Sequence, residues 1–236
     1  MKLRYKRSIL GVGWSLLNPL AQLMVFRFVF EQVLPVNIPN YTPFLFTGIL
    51  VWSWFQTSLI LATTSVVDNR ELIKRPGFPM GIVPMVTIAS NLIHFLLALP
   101  ILYVLLISGG VSVTSSAFIL PVIIAIQFGL TLGVAYFVTT FHVAFRDTQY
   151  LLAVALQLLF FLTPIFYDVA SIPERYHWLY NVNPMASLID AYRSVLLRGQ
   201  VPGQQTLLML GLLTIVLLSL GYLVFRRASH HFAEEL

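Results

Sequence analysis

The chain contains no cysteine, and charged residues make up only 10% of its 236 positions. The first absence excludes disulfides, thiolate metal sites and cysteine nucleophiles. The second is far below the about 25% usual in soluble domains. With 58% hydrophobic residues and a mean hydropathy of +0.85, too little polar surface remains to coat one soluble core. Disordered, nucleic-acid-binding and ordinary cytosolic enzyme classes are therefore poor fits. Missing motifs narrow the field further. There is no G-x-x-x-x-G-K-[ST] phosphate loop, no G-x-S-x-G and no H-E-x-x-H. His230 and His231 are adjacent, so they do not share a helix face, and no metal-ligand set can be read.

What is present is apolar sequence in lengths that fit a bilayer, where a span needs about 17–25 residues. Six segments come close: 19–34, 44–67, 83–107, 117–142, 150–167 and 204–225. The basic start, Met1 to Arg7, resembles a signal peptide, but Asn18, Pro19 and Arg27 interrupt the apolar run and further spans follow. It reads as an uncleaved anchor. With the N-terminus inside, Lys2, Arg4, Lys6, Arg7, Arg70, Lys74, Arg75, Arg146, Arg226 and Arg227 all fall on the cytoplasmic side. Only Arg175, Arg193 and Arg198 fall outside, and Arg27 lies within the first span. The positive-inside rule thus places both termini in the cytoplasm. The net charge of +5 then reports topology, where in a soluble protein it would point to nucleic acid.

The flanking segments carry more pattern than plain loops. In LRYKRSILGVGWSLLNPL, Leu3, Ile9, Leu10, Trp14 and Leu17 oppose Arg4, Lys6 and Arg7. That predicts an amphipathic helix over 1–18 lying in the inner headgroup region, against anionic lipid or a partner, with Asn18-Pro19 marking the turn into the first span. An ordinary positive flank explains the charges but not the tryptophan. In the long outer segment 168–203, Met185, Leu188, Ile189, Tyr192 and Leu196 recur at helical spacing from Pro184 onward. A short amphipathic helix follows, at the outer surface or dipping back into the membrane.

Within the spans, polar and aromatic residues suggest a path. Arg27 and Glu31 are i, i+4 neighbours inside the first span. Ionisable groups there either pair along a protein-lined path or snorkel to the headgroups. On the fifth span Gln157, Phe160, Phe161, Pro164 and Asp168 fall on one helical face, with Tyr167 near its end; on the second, Trp52, Gln56 and Thr63 share a face. Sugar rings offer apolar C–H faces and hydroxyls, so aromatics with amides between them suit a gliding glycan. An interfacial aromatic belt is the plainer reading. Thr87, Asn91, His94 and Ala98 line one face of the third span and predict interhelical hydrogen bonding and close packing, and Gly129 and Gly133 form a packing motif.

Four stretches together carry a family resemblance: LRYKRSILGVGWSLLNPL, ELIKRPGFP (71–79), FRD (145–147) and YNVNP (180–184). They resemble the type-2 ABC exporter permeases, in the polysaccharide and polyol-phosphate export branch that includes O-antigen and teichoic-acid exporters. The resemblance implies one permease domain over 1–236, an all-α membrane protein of six transmembrane helices. It adds an N-terminal amphipathic interface helix, a cytoplasmic coupling helix in the 68–82 loop and short outer gate helices in 168–203, before the last span. It implies a homodimer with two ATP-binding-cassette ATPase subunits, in the bacterial cytoplasmic membrane. ATP and Mg would be bound by the partner ATPase, and no cofactor by this chain. Arg4, Lys6, Arg7, Arg70, Glu71, Leu72, Ile73, Lys74 and Arg75 would receive the ATPase motion. Asn183, Pro184, Asp190 and Arg193 would stand at the outer gate. A lipid-linked polysaccharide would pass beside the first, second and fifth spans, along Arg27, Glu31, Trp52, Gln56, Gln157, Phe160, Phe161 and Tyr167. Gly77 stands where the family pattern leads one to expect an aromatic residue. Two other readings stay open: a type-2 permease for a drug or lipid, and an intramembrane enzyme using Asp168, Glu174 and Asp190 on lipid-linked sugar.

Overall fold

The computed structural model describes residues 13–34, 36–75, 77–112, 114–169, 172–230 and 232, with side chains from residue 16 onward. Arg4, Lys6, Arg7, His231 and most of the expected interface helix lie outside the described residues. Among the described residues all regular structure is helical: α1 (Gly13–Arg27), α2 (Tyr41–Asp68), α3 (Arg70–Ile73), α4 (Ile82–Ser108), α5 (Leu120–Ala144), α6 (Thr148–Leu162), α7 (His177–Val182), α8 (Pro184–Leu196) and α9 (Gln204–Ser229), with short 3-10 and π turns between some of them.

Among the described residues, four helices are long and apolar enough to cross a membrane: α2, α4, α5 with the 3-10 turn before it, and α9. Their bounds follow the apolar runs to within a few residues. The other two expected spans differ. The chain does not turn at Asn18-Pro19: α1 runs through Pro19 and continues as a π-helix over Phe28–Val33. A proline that removes one ladder hydrogen bond is tolerated where packing holds the helix, and Pro19 is buried. The fifth expected span, 150–167, is a helix only to Leu162. Its 15 residues reach about 22 Å at 1.5 Å each, short of a hydrocarbon core of about 30 Å. Thr163 turns extended, at φ −91° and ψ 138°. Pro164 and Asp168 therefore do not continue the helical face of Gln157, Phe160 and Phe161.

α2 is the central helix. Its most apolar stretch is 72% buried within the protein, against 17% for α9. α2 is the least apolar of the four, with a mean hydropathy of 1.6 against 2.5 for α9, and protein covers it: α1, α4, α5, α6 and α8 all pack against α2. α9 is held by α5 instead. A Cβ on Gly129 would lie 2.7 Å from Thr214, and one on Gly133 would lie 2.7 Å from the Leu217 backbone, so the G-x-x-x-G stripe is where the two backbones close together. On the polar face of α4, Asn91 and Ala98 are buried, as close packing requires. Thr87 Oγ1 donates to Val83 O and Asn91 Nδ2 donates to Thr87 O, so both satisfy their own helix.

Residues Pro184–Leu196 fold back onto this core. α8 is amphipathic as its spacing requires, and Met185, Leu188, Ile189, Tyr192 and Leu196 are all buried. Asn183 caps α8, its Oδ1 accepting from Met185 N at 3.0 Å, with Pro184 in the first turn.

Candidate functional site

Aromatic rings from four parts of the chain meet on one side of α2. Trp52 of α2 touches Phe160 of α6, with centroids 6.0 Å apart, and Phe160 touches Phe26 of α1 at 5.8 Å. Phe26 stacks parallel to Phe166 at 5.6 Å, and Phe30 stacks on Phe166 at 5.3 Å. Phe166 belongs to the irregular stretch after α6. Phe30 then meets Tyr41, Tyr41 meets Phe44, and the Arg193 guanidinium lies 3.4 Å above the Phe44 ring. Offset and edge contacts of this kind add about 0.5–1.5 kcal/mol per pair beyond burial.

The members of this wall differ in exposure, and that separates the expected path residues. Phe161 is 53% exposed, Phe160 is partly buried and Gln157 is exposed. Trp52 is 1% exposed; it stands behind Phe160 and donates through Nε1 to Gln56 Oε1 at 2.9 Å. The shared face read from the sequence for Trp52 and Gln56 is thus a hydrogen-bonded pair. Tyr167 lies beside the wall, its hydroxyl donating to Phe161 O at 3.1 Å and facing the Tyr180 hydroxyl at 3.2 Å.

The first-span pair lies beside the wall. Arg27 Nε donates to Glu31 Oε2 at 2.8 Å, and Thr42 Oγ1 donates to Glu31 Oε1 at 3.1 Å. The π-helix starts next to Arg27, and such wide turns often occur at functional positions. Arg27 keeps 56% of its side-chain surface exposed and Glu31 keeps 25%. Pairing is established by geometry, with the cation still reachable.

Arg193, expected at the gate, is buried. It is 5% exposed and donates to three backbone carbonyls: Nη1 to Pro164 O at 2.7 Å, Nη2 to Ile165 O at 2.7 Å, and Nε and Nη2 to Phe44 O at 3.3 and 3.2 Å. Burial pushes its pKa below the ordinary arginine value, to about 9, with Asp190 and Asp168 pulling it back up, and a guanidinium keeps its proton in proteins. Gly48 makes room for it: a Cβ there would sit 2.9 Å from Nη2 and 3.0 Å from Ile165 O. Asp190, expected beside it at the gate, forms its ion pair with Arg198. Asn183 bonds Thr163 Oγ1 at 2.9 Å, so two of the four expected gate residues hold the stretch after α6.

At the opposite end, α3 and the two residues after it present Arg70, Glu71, Leu72, Lys74 and Arg75 to solvent, while Ile73 is 1% exposed and anchors the turn. The expected coupling residues thus divide into an exposed basic rim and one buried anchor. Gly77 has φ +76°, and a Cβ added there would meet no atom within 4 Å. Space is therefore not the constraint; the left-handed backbone is, and an aromatic residue would resist it. Among the described residues no group of three or more His, Asp or Glu gathers as a metal site would.

Sequence reasoning missed Phe26, Phe30, Phe44, Gly48 and Phe166. Phe26 and Phe30 carried a signal, being i, i+4 on the first span. Phe166 carried none, because it lies where no helical period applies.

Apolar helices exposed on their outer faces, a buried central helix and a folded-back outer segment define a multi-pass membrane protein. Residues 1–197 match the family model described as ABC-2 type transporter, and the chain belongs to that family. It is 34% identical over 237 residues to the O-antigen export system permease protein RfbA of Klebsiella pneumoniae, covering all of this chain and 91% of that one. It is 33% identical to the RfbA protein of Myxococcus xanthus, over all of this chain and 92% of that one. The polysialic acid transport protein KpsM of Escherichia coli is 21% identical over 96% of this chain and 89% of its own length.

Proposed function

We propose that this chain is the transmembrane subunit of an ATP-driven exporter that moves lipid-linked polysaccharide, of O-antigen, capsule or teichoic-acid type, across the bacterial cytoplasmic membrane. Full-length similarity to permeases named for O-antigen export supports the substrate class. The observation that carries the mechanism is the aromatic wall, open to one side at Phe161 and Gln157 and flanked by the Arg27–Glu31 pair. A sugar ring stacks on an aromatic face through its C–H groups and exchanges hydroxyl hydrogen bonds with amides and charged side chains. Such contacts are numerous and individually weak, which suits a chain that slides.

In this reading two copies meet across the exposed faces of α1 and α6. The wall of each then faces the shared path, and α1 with its π-helix and α6 with residues 163–167 complete six crossings. Non-helical backbone at membrane depth is acceptable there because protein satisfies it. Two ATPase subunits bind ATP and Mg and push on the exposed rim of α3, with Arg4, Lys6 and Arg7 as a second contact, both chain termini being cytoplasmic. Ile73 transmits the push because it is embedded in the core while its neighbours are free to be gripped.

Replacing Phe160 and Phe161 with Ala tests the substrate class in vesicles that contain the partner ATPase. Polysaccharide export falls while ATP hydrolysis persists if the wall carries glycan. Unchanged polysaccharide export refutes the role of the wall, and retained export of an apolar drug or lipid in its place favours that substrate class.

A further inference from the structure

The stretch after α6 is held in an unusual way. The carbonyls of Pro164, Ile165 and Phe166 do not join a helical ladder; side chains take them. Arg193 bonds the Pro164 and Ile165 carbonyls, Tyr41 donates to Phe166 O at 3.0 Å, and Asn183 bonds Thr163 Oγ1. The same guanidinium bonds Phe44 O and covers the Phe44 ring. One buried cation thus fastens this stretch to the outer end of α2. Side-chain ties can be exchanged one at a time, whereas a helix breaks its ladder cooperatively.

What the stretch carries matters as much as how it is held. Phe166 contacts Phe26 and Phe30 of the first span, and Phe160 and Phe161 of α6. Moving the stretch therefore rearranges the wall. Gly48 is the matching recess, since any Cβ there meets both the guanidinium and the Ile165 carbonyl.

We propose that Arg193 is a latch: it holds residues 163–167 against α2 to close the outer end of the path, and export requires that stretch to leave α2. This inference rests on the export reading above and adds a positioning residue to it. Arg193 touches no substrate in this arrangement; it acts by fixing the backbone that carries Phe166. A merely structural arginine would stay bonded throughout the transport cycle, whereas a latch must release.

The absence of cysteine from the chain makes the test direct. Ile165, which is 0% exposed, is replaced by Cys in the full chain assembled with its ATPase in vesicles, and labelling is followed with a membrane-impermeant maleimide on the outer side. Labelling is slow at rest and rises at least about tenfold during ATP turnover, the ratio for about 1.4 kcal/mol of shifted equilibrium. Adding Arg193→Met or Gly48→Ala gives the fast rate without ATP, and Arg193→Lys, with one donor centre in place of a fork, falls between. Rates that ignore both ATP and the latch variants overturn the proposal. If Arg193→Met does not assemble, Gly48→Ala decides, because it keeps the arginine while crowding both the guanidinium and the Ile165 carbonyl where they meet. Turnover-dependent labelling without polysaccharide movement upholds the latch and refutes the substrate reading instead.

Discussion

Gly48→Ala sets two physical effects against each other, and the structure says which wins. Glycine in a helix interior costs about 1 kcal/mol relative to alanine, so propensity alone makes the substitution stabilising. The added Cβ would lie 2.9 Å from Arg193 Nη2, 3.0 Å from Ile165 O and 3.2 Å from Ile165 Cγ2. The guanidinium cannot step aside cheaply, because it is fixed on three carbonyls and the Phe44 ring. Overpacking costs about 1–3 kcal/mol, and losing one charge-assisted bond, that to Ile165 O, costs about 1.5–3 kcal/mol. After the gain in helix propensity, a net loss of about 1.5–5 kcal/mol remains. At about 2–4 °C per kcal/mol for a chain of this size, thermal unfolding of the detergent-solubilised protein should fall by several degrees or more. A rise in Tm, the sign that propensity alone gives, would refute the packing argument around Arg193.

Other substitutions probe separate parts of the molecule. Asn183→Ala loses the cap of α8, about 1 kcal/mol, together with the bond to Thr163; Asn183→Asp keeps an acceptor for the cap but has no donor for Thr163, so it should recover only part of the lost Tm. A Cβ on Gly221 would overlap the carbonyl oxygen of Gly133, so Gly221→Ala should cost about 3 kcal/mol or more and lower the yield of monodisperse protein on size exclusion. Replacing Lys74 and Arg75 together with Glu should leave hydrolysis by the partner ATPase running while export stops; export at the parental rate would remove α3 from the coupling role.

The long elements were legible because bilayer thickness dictates them. An uninterrupted apolar run such as 83–107 has one way to satisfy its backbone in lipid, and α4 takes it. α8 was legible because five apolar residues at helical spacing amid polar ones leave a single buried face. The end of α6 was not. Leu162, Thr163, Pro164 and Ile165 read as more apolar sequence, although Pro164 turns Thr163 out of the helical region; where the freed carbonyls go is a tertiary fact, an arginine 28 residues further on bonding the Ile165 oxygen. The candidate site divides along the same line. Trp52 with Gln56, and Arg27 with Glu31, are i, i+4 pairs visible on one helix. Phe166 and Gly48 gain meaning only from residues brought to them by the fold. Arg193 was identified by resemblance as a gate residue, but its burial could not be read from a segment whose neighbours Asp190 and Arg198 are charged.

If this chain moves polysaccharide only when an ATPase drives it, the decisive experiment is reconstitution of the full chain with its ATPase in inverted vesicles supplied from outside with lipid-linked polysaccharide. Polymer should accumulate in the lumen in a way that requires ATP, requires both subunits and is abolished by the Lys74 and Arg75 replacements. ATP hydrolysis with no polymer in the lumen, or chemical turnover of the lipid-linked sugar by this chain alone, would contradict it.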